Sequence, residues 1–257
     1  MSDSELRFDG VRRLVGSSGF NRILKAHVCV IGVGGVGSWT VEALARSGVG
    51  KLTLIDLDEV CISNTNRQLH ALDGEIGKPK VSVLRERCLR INPAMEVNAQ
   101  VTFFTAENAD QILSTPFDWV ADAIDNLSNK ALLLACCRSR GIPVTTTGGA
   151  GGKFDPTQIR VADLASSNHD RLLQKLRKEL RAHHGFPEAP TPFGIECVYS
   201  PEPVVYPWAD GRVCATQENA GAMKLDCEGG FGAAAHLTGA FGLALASRVI
   251  RGLAESC

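Results

Sequence analysis

Apolar residues along the chain gather in short runs and helical stripes that take turns. Residues 27–32, HVCVIG, form a brief β-branched run ending in glycine, and Trp39, Ala43 and Leu44 then recur at helical spacing within 38–46. A second apolar run, LTLIDLD, follows Gly48 and Gly50, and DWVADAID and IPVTTTG supply two more. Helical patterns over 80–90 and 129–140 lie between them. Nearly continuous apolar strands alternating with helices predict an α/β fold: a Rossmann-like, mostly parallel sheet covered by helices on both faces.

From Gly148 onward the pattern changes. GGAGGKFDPTQIRVADL reads as glycine-rich turns leading into a strand, and 168–184 reads as one helix. Pro187, Pro190 and Pro192 then interrupt regular structure, so 185–194 is a loop and a candidate mobile lid. CVYS and VVYP are strand-like, and an apolar helix spans about 231–252. Its charge-free part, 231–247, sits at the short limit for a membrane span and is interrupted by His236 and glycines, which favours a buried core helix. The chain is read as one domain over 1–257, with a nucleotide-binding half to about 150 and a substrate-facing half beyond it, packed on the first.

Composition narrows the function classes. With 257 residues and 44% hydrophobic content, one large α/β domain can bury a substantial core. A net charge of -1 gives no global pull toward nucleic acid or membrane, so such a partner needs a local basic patch. Nine cysteines without a CxxC pair suit a reducing compartment and speak against a tetrathiolate zinc site. The opening MSDSELRFDG lacks the charged and apolar regions of a signal peptide, so the expected location is the cytoplasm.

The stretch VIGVGGVGSW satisfies GxGxxG through Gly32, Gly34 and Gly37, and Asp56 ends the following strand, where a ribose hydroxyl could bind. That favours a dinucleotide, yet glycine turns at a helix N-terminus cradle any phosphate chain. Residues downstream shift the balance. Asp58 is followed by Asn64-Thr65-Asn66-Arg67-Gln68, then by Lys80 at a helix start, and Asp122 and Asp125 lie within VADAIDN. An arginine and a lysine can neutralise a triphosphate, amides can orient it, and an aspartate can hold Mg²⁺ beside it.

This order of GxGGxG, acid, NxNRQ, lysine and aspartate resembles the ubiquitin-activating-like adenylating enzymes of the ThiF/MoeB superfamily. It is carried by Gly32, Gly34, Gly35, Gly37, Asp56, Asn64, Asn66, Arg67, Gln68, Lys80 and Asp125. The resemblance implies ATP, Mg²⁺ at Asp125, and attack of a substrate carboxylate on the α-phosphate to give an acyl adenylate and pyrophosphate. It also implies a homodimer in which an N-terminal arginine, Arg13 or alternatively Arg7, enters the partner's site.

Within the superfamily, NTNRQLHAL, TTGGAGGKFDPTQI, VYPWADGRVCA and LDCEGGFGAA are similar to the branch that dehydrates threonylcarbamoyladenosine in tRNA. That branch implies adenylation of the threonine carboxylate, then ring closure with release of AMP. Cys227 keeps three roles open: a thioester-forming nucleophile, a persulfide acceptor, or a structural thiol. A cysteine desulfurase with its sulfur-acceptor protein, and a bound Na⁺ or K⁺, are further associations of the branch. Cys61 reads as a packed residue beside the ATP site.

The segment RLLQKLRKELRAHH places Arg171, Lys175, Arg177, Lys178 and Arg181 on a helix whose leucines face a core. A solvated face and a phosphate-tracking tRNA surface both fit that pattern, and the resemblance favours tRNA. Two alternative functions stand beside dehydration. One is activation of a sulfur-carrier or ubiquitin-like protein C-terminus, and the other is a noncatalytic sulfur-acceptor module.

Overall fold

The computed structural model describes residues 3–217 and 231–255. In chain order its elements are α1 (Asp3–Lys25), β1 (His27–Ile31), α2 (Gly37–Arg46), β2 (Lys51–Ile55), α3 (Lys80–Ile91), β3 (Glu96–Gln100), α4 (Ala109–Leu113), β4 (Trp119–Asp122) and α5 (Leu127–Arg140). Then come β5 (Val144–Thr147), β6 (Arg160–Asp163), α6 (Arg171–His184), β7 (Glu196–Tyr199), β8 (Tyr206–Pro207), β9 (Val213–Cys214) and α7 (Ala235–Glu255).

Seven strands form one sheet in the order β3-β2-β1-β4-β5-β7-β6. All pairings are parallel except that of β6 with β7, so the doubly wound α/β fold expected from the sequence is present. Because side chains alternate along a strand, the sheet serves two cores. Val28, Val30, Leu52, Leu54 and Ala121 face one side, where Leu44, Phe241, Leu245 and Val249 pack. Cys29, Ile31, Val120, Cys197 and Tyr199 face the other, beneath Leu133, Leu134, Leu173, Leu176 and Leu180.

Among the described residues, α7 alone is long and apolar enough to cross a membrane. Here Leu237, Phe241, Leu245, Val249 and Leu253 are buried in the first core. Thr40 Oγ1 on α2 donates to the Gly242 carbonyl at 3.1 Å, and a Cβ on Gly242 would lie 2.4 Å from the Val36 carbonyl. The close α2–α7 crossing therefore requires glycine there.

In register, Ile31 lies beside Ile55 and Asp122, so the carboxyl ends of β1, β2 and β4 align. Strand order reverses between β1 and β4, which opens a crevice at that edge. α1 runs along the opposite, amino edge: Phe8 lies against Gly48 beyond α2, and Arg7 donates to the Ile91 carbonyl ending α3. The 185–194 loop is at the amino edge as well. Phe186 and Phe193 are buried, stack edge to face at 4.9 Å, and lie under the guanidinium groups of Arg138 and Arg181. This corrects the expectation of a lid, since the loop is anchored on the far side of the sheet from the crevice.

Candidate active site

The glycine turn follows β1 directly. Gly32 takes φ +80°, and a Cβ on Gly37 would stand 1.9 Å from the Gly32 carbonyl oxygen, so α2 closes onto the strand end only through glycine. Asp56 holds this turn to the end of β2. Its Oδ2 accepts the Val33 N–H at 2.7 Å and its Oδ1 accepts the Asp58 N–H at 2.9 Å. Burial pushes the Asp56 carboxyl up, while these two N–H donors and the Lys80 ammonium act against that shift.

Lys80 opens α3 with a buried side chain whose Nζ lies 2.7 Å from Asp58 Oδ2. Its backbone N–H donates to the Asp58 carbonyl at 3.0 Å, which fixes the helix start beside the second acid. The NTNRQ segment packs alongside. Asn64 is buried, and its Oδ1 accepts the Cys61 N–H at 3.0 Å. Asn66 Nδ2 donates to the Ala233 carbonyl at 2.8 Å. The Arg67 carbonyl accepts both Trp39 Nε1 at 3.2 Å and Thr238 Oγ1 at 3.1 Å, so α2 and α7 grip its backbone. Its guanidinium rests on the Ser63 carbonyl at 2.8 Å and on Asn66 Oδ1 at 2.9 Å.

Gly35 faces Arg67 and Thr238, and Gly34 faces the Gln68 carboxamide. Gln68 Oε1 is buried without a hydrogen-bond partner, as are both ring nitrogens of His70. Burial, with the Lys80 charge adding to it, pushes the His70 imidazole down to about 4. A glycine turn with the Gln68 carboxamide nitrogen, one guanidinium and one ammonium beside it is a donor set that suits a polyphosphate.

The two acids of VADAIDN separate. Asp122 does not face the crevice with the others: it is wholly buried, 2.9 Å from Lys130 Nζ, and accepts Thr146 Oγ1 at 2.7 Å. Asp125, three residues on, is exposed, and the Ala123–Ile124 backbone just before it abuts Gly32 of the glycine turn. Among the described residues no group of three potential metal ligands occurs. A magnesium ion bound by one carboxylate and substrate phosphates needs none, so Asp125 fits that role.

Arg13 lies on α1 and pairs with Asp9 at 2.6 Å, at the edge away from its own crevice. Cys227 lies outside the described residues. Cys61, expected to be packed, is exposed, with its thiol donating to the Glu59 carbonyl at 3.8 Å. On the basic helix Leu173, Leu176 and Leu180 are buried, as their spacing required. Asp170 caps the helix through the Leu173 N–H at 3.0 Å, so it begins at Arg171 and not at Asn168. Lys175 and Lys178 are exposed, and Arg181 is engaged with the Pro187 carbonyl at 3.1 Å. Pattern reading missed Lys130, His70, Thr238 and the buried Lys153–Asp170 pair, 2.9 Å apart. Adjacency to NTNRQ was the available signal for His70, whereas Thr238 joins the site from 171 residues away.

A phosphate-cradling turn, an arginine–lysine pair and a doubly wound sheet define a nucleotide-dependent adenylating fold, and the chain belongs to the ThiF family, whose pattern matches residues 10–255. It is similar to the tRNA threonylcarbamoyladenosine dehydratase of Escherichia coli (strain K12), with 47% identity over 95% of this chain and 92% of that protein. Two solved structures agree. The E. coli tRNA N6-threonylcarbamoyladenosine dehydratase TcdA in complex with ATP superposes with a TM-score of 0.87 at 42% identity, covering 98% of this chain and 96% of that one. The AMP complex of the same enzyme gives a TM-score of 0.86, also at 42% identity and with the same coverage.

Proposed function

We propose that the protein is an ATP-dependent adenylating enzyme that dehydrates threonylcarbamoyladenosine in tRNA. The observation that carries this reading is the convergence of Gly34, Gly35, Gln68 and Arg67 at the end of β1, with Lys80 held against Asp58 beside them. Likeness to the E. coli dehydratase along nearly the whole chain selects the substrate.

The threonine carboxylate of the modified nucleoside attacks the α-phosphorus of ATP. A carboxylate–phosphorus bond forms, and pyrophosphate departs. An atom of the neighbouring carbamoyl group then attacks the activated carbonyl, the ring closes, and AMP leaves. Counted over both steps, the nucleoside loses one water. Ring closure is intramolecular and benefits from high effective molarity, so the protein chiefly binds and orients. Arg67 and Lys80 donate to charge that develops on the phosphate, in a site where both are positioned beforehand. Asp125 would hold Mg²⁺, which supplies charge neutralisation on the phosphates.

Further assignments belong to the same proposal. The enzyme acts as a homodimer, and Arg13 serves the partner's crevice, as its place at the amino edge of its own subunit favours. Cys227 forms a thioester, accepts sulfur from a desulfurase system, or is structural. A Na⁺ or K⁺ orders the glycine-rich loops, and the enzyme works in the cytoplasm, where its tRNA is. Sulfur-carrier activation and a noncatalytic sulfur-acceptor role have no observation of their own here.

The test is nucleoside mass spectrometry of tRNA incubated with the protein, ATP and Mg²⁺. Wild-type protein should convert threonylcarbamoyladenosine to a product lighter by one water, and Arg67→Ala should not. Absence of that product with ATP-binding wild-type protein would overturn the function. Full activity in Cys227→Ser would remove the covalent role and leave adenylation standing.

A further inference from the structure

A cavity of about 400 Å³ lies where α6 begins, lined by 167–171 and, one and two turns on, by Gln174 and Arg177. It shares the carboxyl edge of the sheet with the nucleotide crevice. Asp170 in its wall accepts the N–H of Gly149 at 3.1 Å, and Gly149 follows β5. The cavity is therefore on the face that a substrate must approach.

Its charge is unbalanced. Asp170 is the acid in the lining, and its carboxylate is turned inward to Lys153 at 2.9 Å and to the Leu173 N–H at 3.0 Å. The helix N-terminus is thus already capped. Arg177 is half-buried, and its Nη1 meets only a neutral oxygen, Ser167 Oγ, at 2.5 Å. Arg171 reaches over the Tyr206 ring, 5.3 Å from its centroid. Among the described residues no carboxylate pairs with either guanidinium. Burial, with the nearby Arg181 adding to it, pushes the Arg177 pKa down, while Asp170 acts against that shift from beyond ion-pair distance. The remaining lining residues are Asn168 and Gln174, which carry amide donors, and His169.

We infer that this cavity binds a backbone phosphate of the RNA substrate, with Arg177 at its floor and Arg171 at its rim. The inference rests on the proposed tRNA-modifying function and assigns one contact to it. A guanidinium withdrawn from water and lacking a carboxylate is relieved by an anion, and its planar fork matches two phosphate oxygens. The volume, about 400 Å³, lies within the range of small-ligand pockets and exceeds what a single phosphate group needs. Lys175 and Lys178 project into solvent without such a cavity, and Arg181 is engaged elsewhere.

The test measures tRNA binding by the full-length protein across about 50 to 300 mM salt, with ATP affinity recorded for every variant as a check of folding. Arg171→Gln and Arg177→Gln should each weaken tRNA binding about tenfold and reduce the logarithmic salt slope by about one. Arg177→Lys should restore part of the slope. Arg251→Gln, on the far end of α7, should leave it unchanged. Equal tRNA affinity and slope in wild type and both glutamine variants would overturn the assignment, as would an equal loss in Arg251→Gln. Competition by inorganic phosphate at Arg177, with tRNA binding unaffected by the substitutions, would assign the cavity to a free phosphate and also overturn it. An inactive wild type sinks the function itself, whereas an active wild type with unaltered variants sinks only this site.

Discussion

Asp122 and Lys130 meet at 2.9 Å with neither side chain exposed, directly beneath the carboxyl end of β4. Lys130 Nζ also donates to the Ile124 carbonyl at 2.9 Å, and the Ile124 N–H returns to Asp122 Oδ1 at 3.0 Å. Thr146 closes the group from β5. The pair thus clamps the turn that presents Asp125 to the crevice. Lys130→Met strands a buried carboxylate and should destabilise the protein by about 3–5 kcal/mol in urea unfolding. Adding Asp122→Asn should recover part of the loss, and a double variant no more stable than the single one would contradict a charge-pair role.

The Arg67 backbone is held by Trp39 and Thr238, independently of its side chain. Arg67→Ala should therefore keep the wild-type Tm within a few degrees while lowering kcat/KM roughly 10²–10³-fold, the scale of losing a donor to developing charge. Arg67→Lys should recover little, because an ammonium cannot reproduce the guanidinium fork. Thermal unfolding measured beside turnover separates the two effects.

The difference between Asp122 and Asp125 shows what the sequence carries and what it leaves out. Both stand in VADAIDN and read alike as acids at a strand end, but β4 ends at Asp122 with its side chain under the sheet edge, and only Asp125 emerges. Gly32 to Gly37, Asn66, Arg67 and Lys80 were legible because one strand–turn–helix unit and one loop bring them together over short separations. Four elements were not: α1, β3, α4 and β9. α1 is broken at Phe8 and Gly16, and β3 presents the polar run EVNAQ beside the sheet's end, so neither shows a clean apolar period, while α4 and β9 have five and two residues, too short for any period. The prolines of 185–194 marked a loop correctly but could not say which edge of the sheet it caps. That depended on Phe186 and Phe193 finding α5 and α6.

His70 has 1% exposure and no partner on either ring nitrogen, and its pKa is pushed down to about 4, so it is neutral when folded. Below its ordinary value near 6.5 the unfolded chain takes up a proton that the folded chain refuses, so stability falls with falling pH until about 4. From pH 7 to pH 5 this group should withdraw about 2 kcal/mol. His70→Leu should remove that share of the slope while other groups titrate as before. Denaturant unfolding of both proteins at the two pH values measures the difference, and parallel losses would show that His70 does not contribute.

Arg13 is paired with Asp9 on α1, at the amino edge, while the crevice opens at the carboxyl edge of the same sheet. If it serves catalysis, it must do so in another copy of the chain. Arg13→Ala and Arg67→Ala should each be nearly inactive alone, since each removes a cation from every site. In a mixed dimer one site would lack both arginines and the other would keep both. Random reassociation of equal amounts makes half of the dimers mixed, so activity should return to about a quarter of the wild-type level. The measurement is turnover after the variants are mixed, dissociated and allowed to reassociate. Activity that stays at the sum of the separate variants would place Arg13 outside the partner's site.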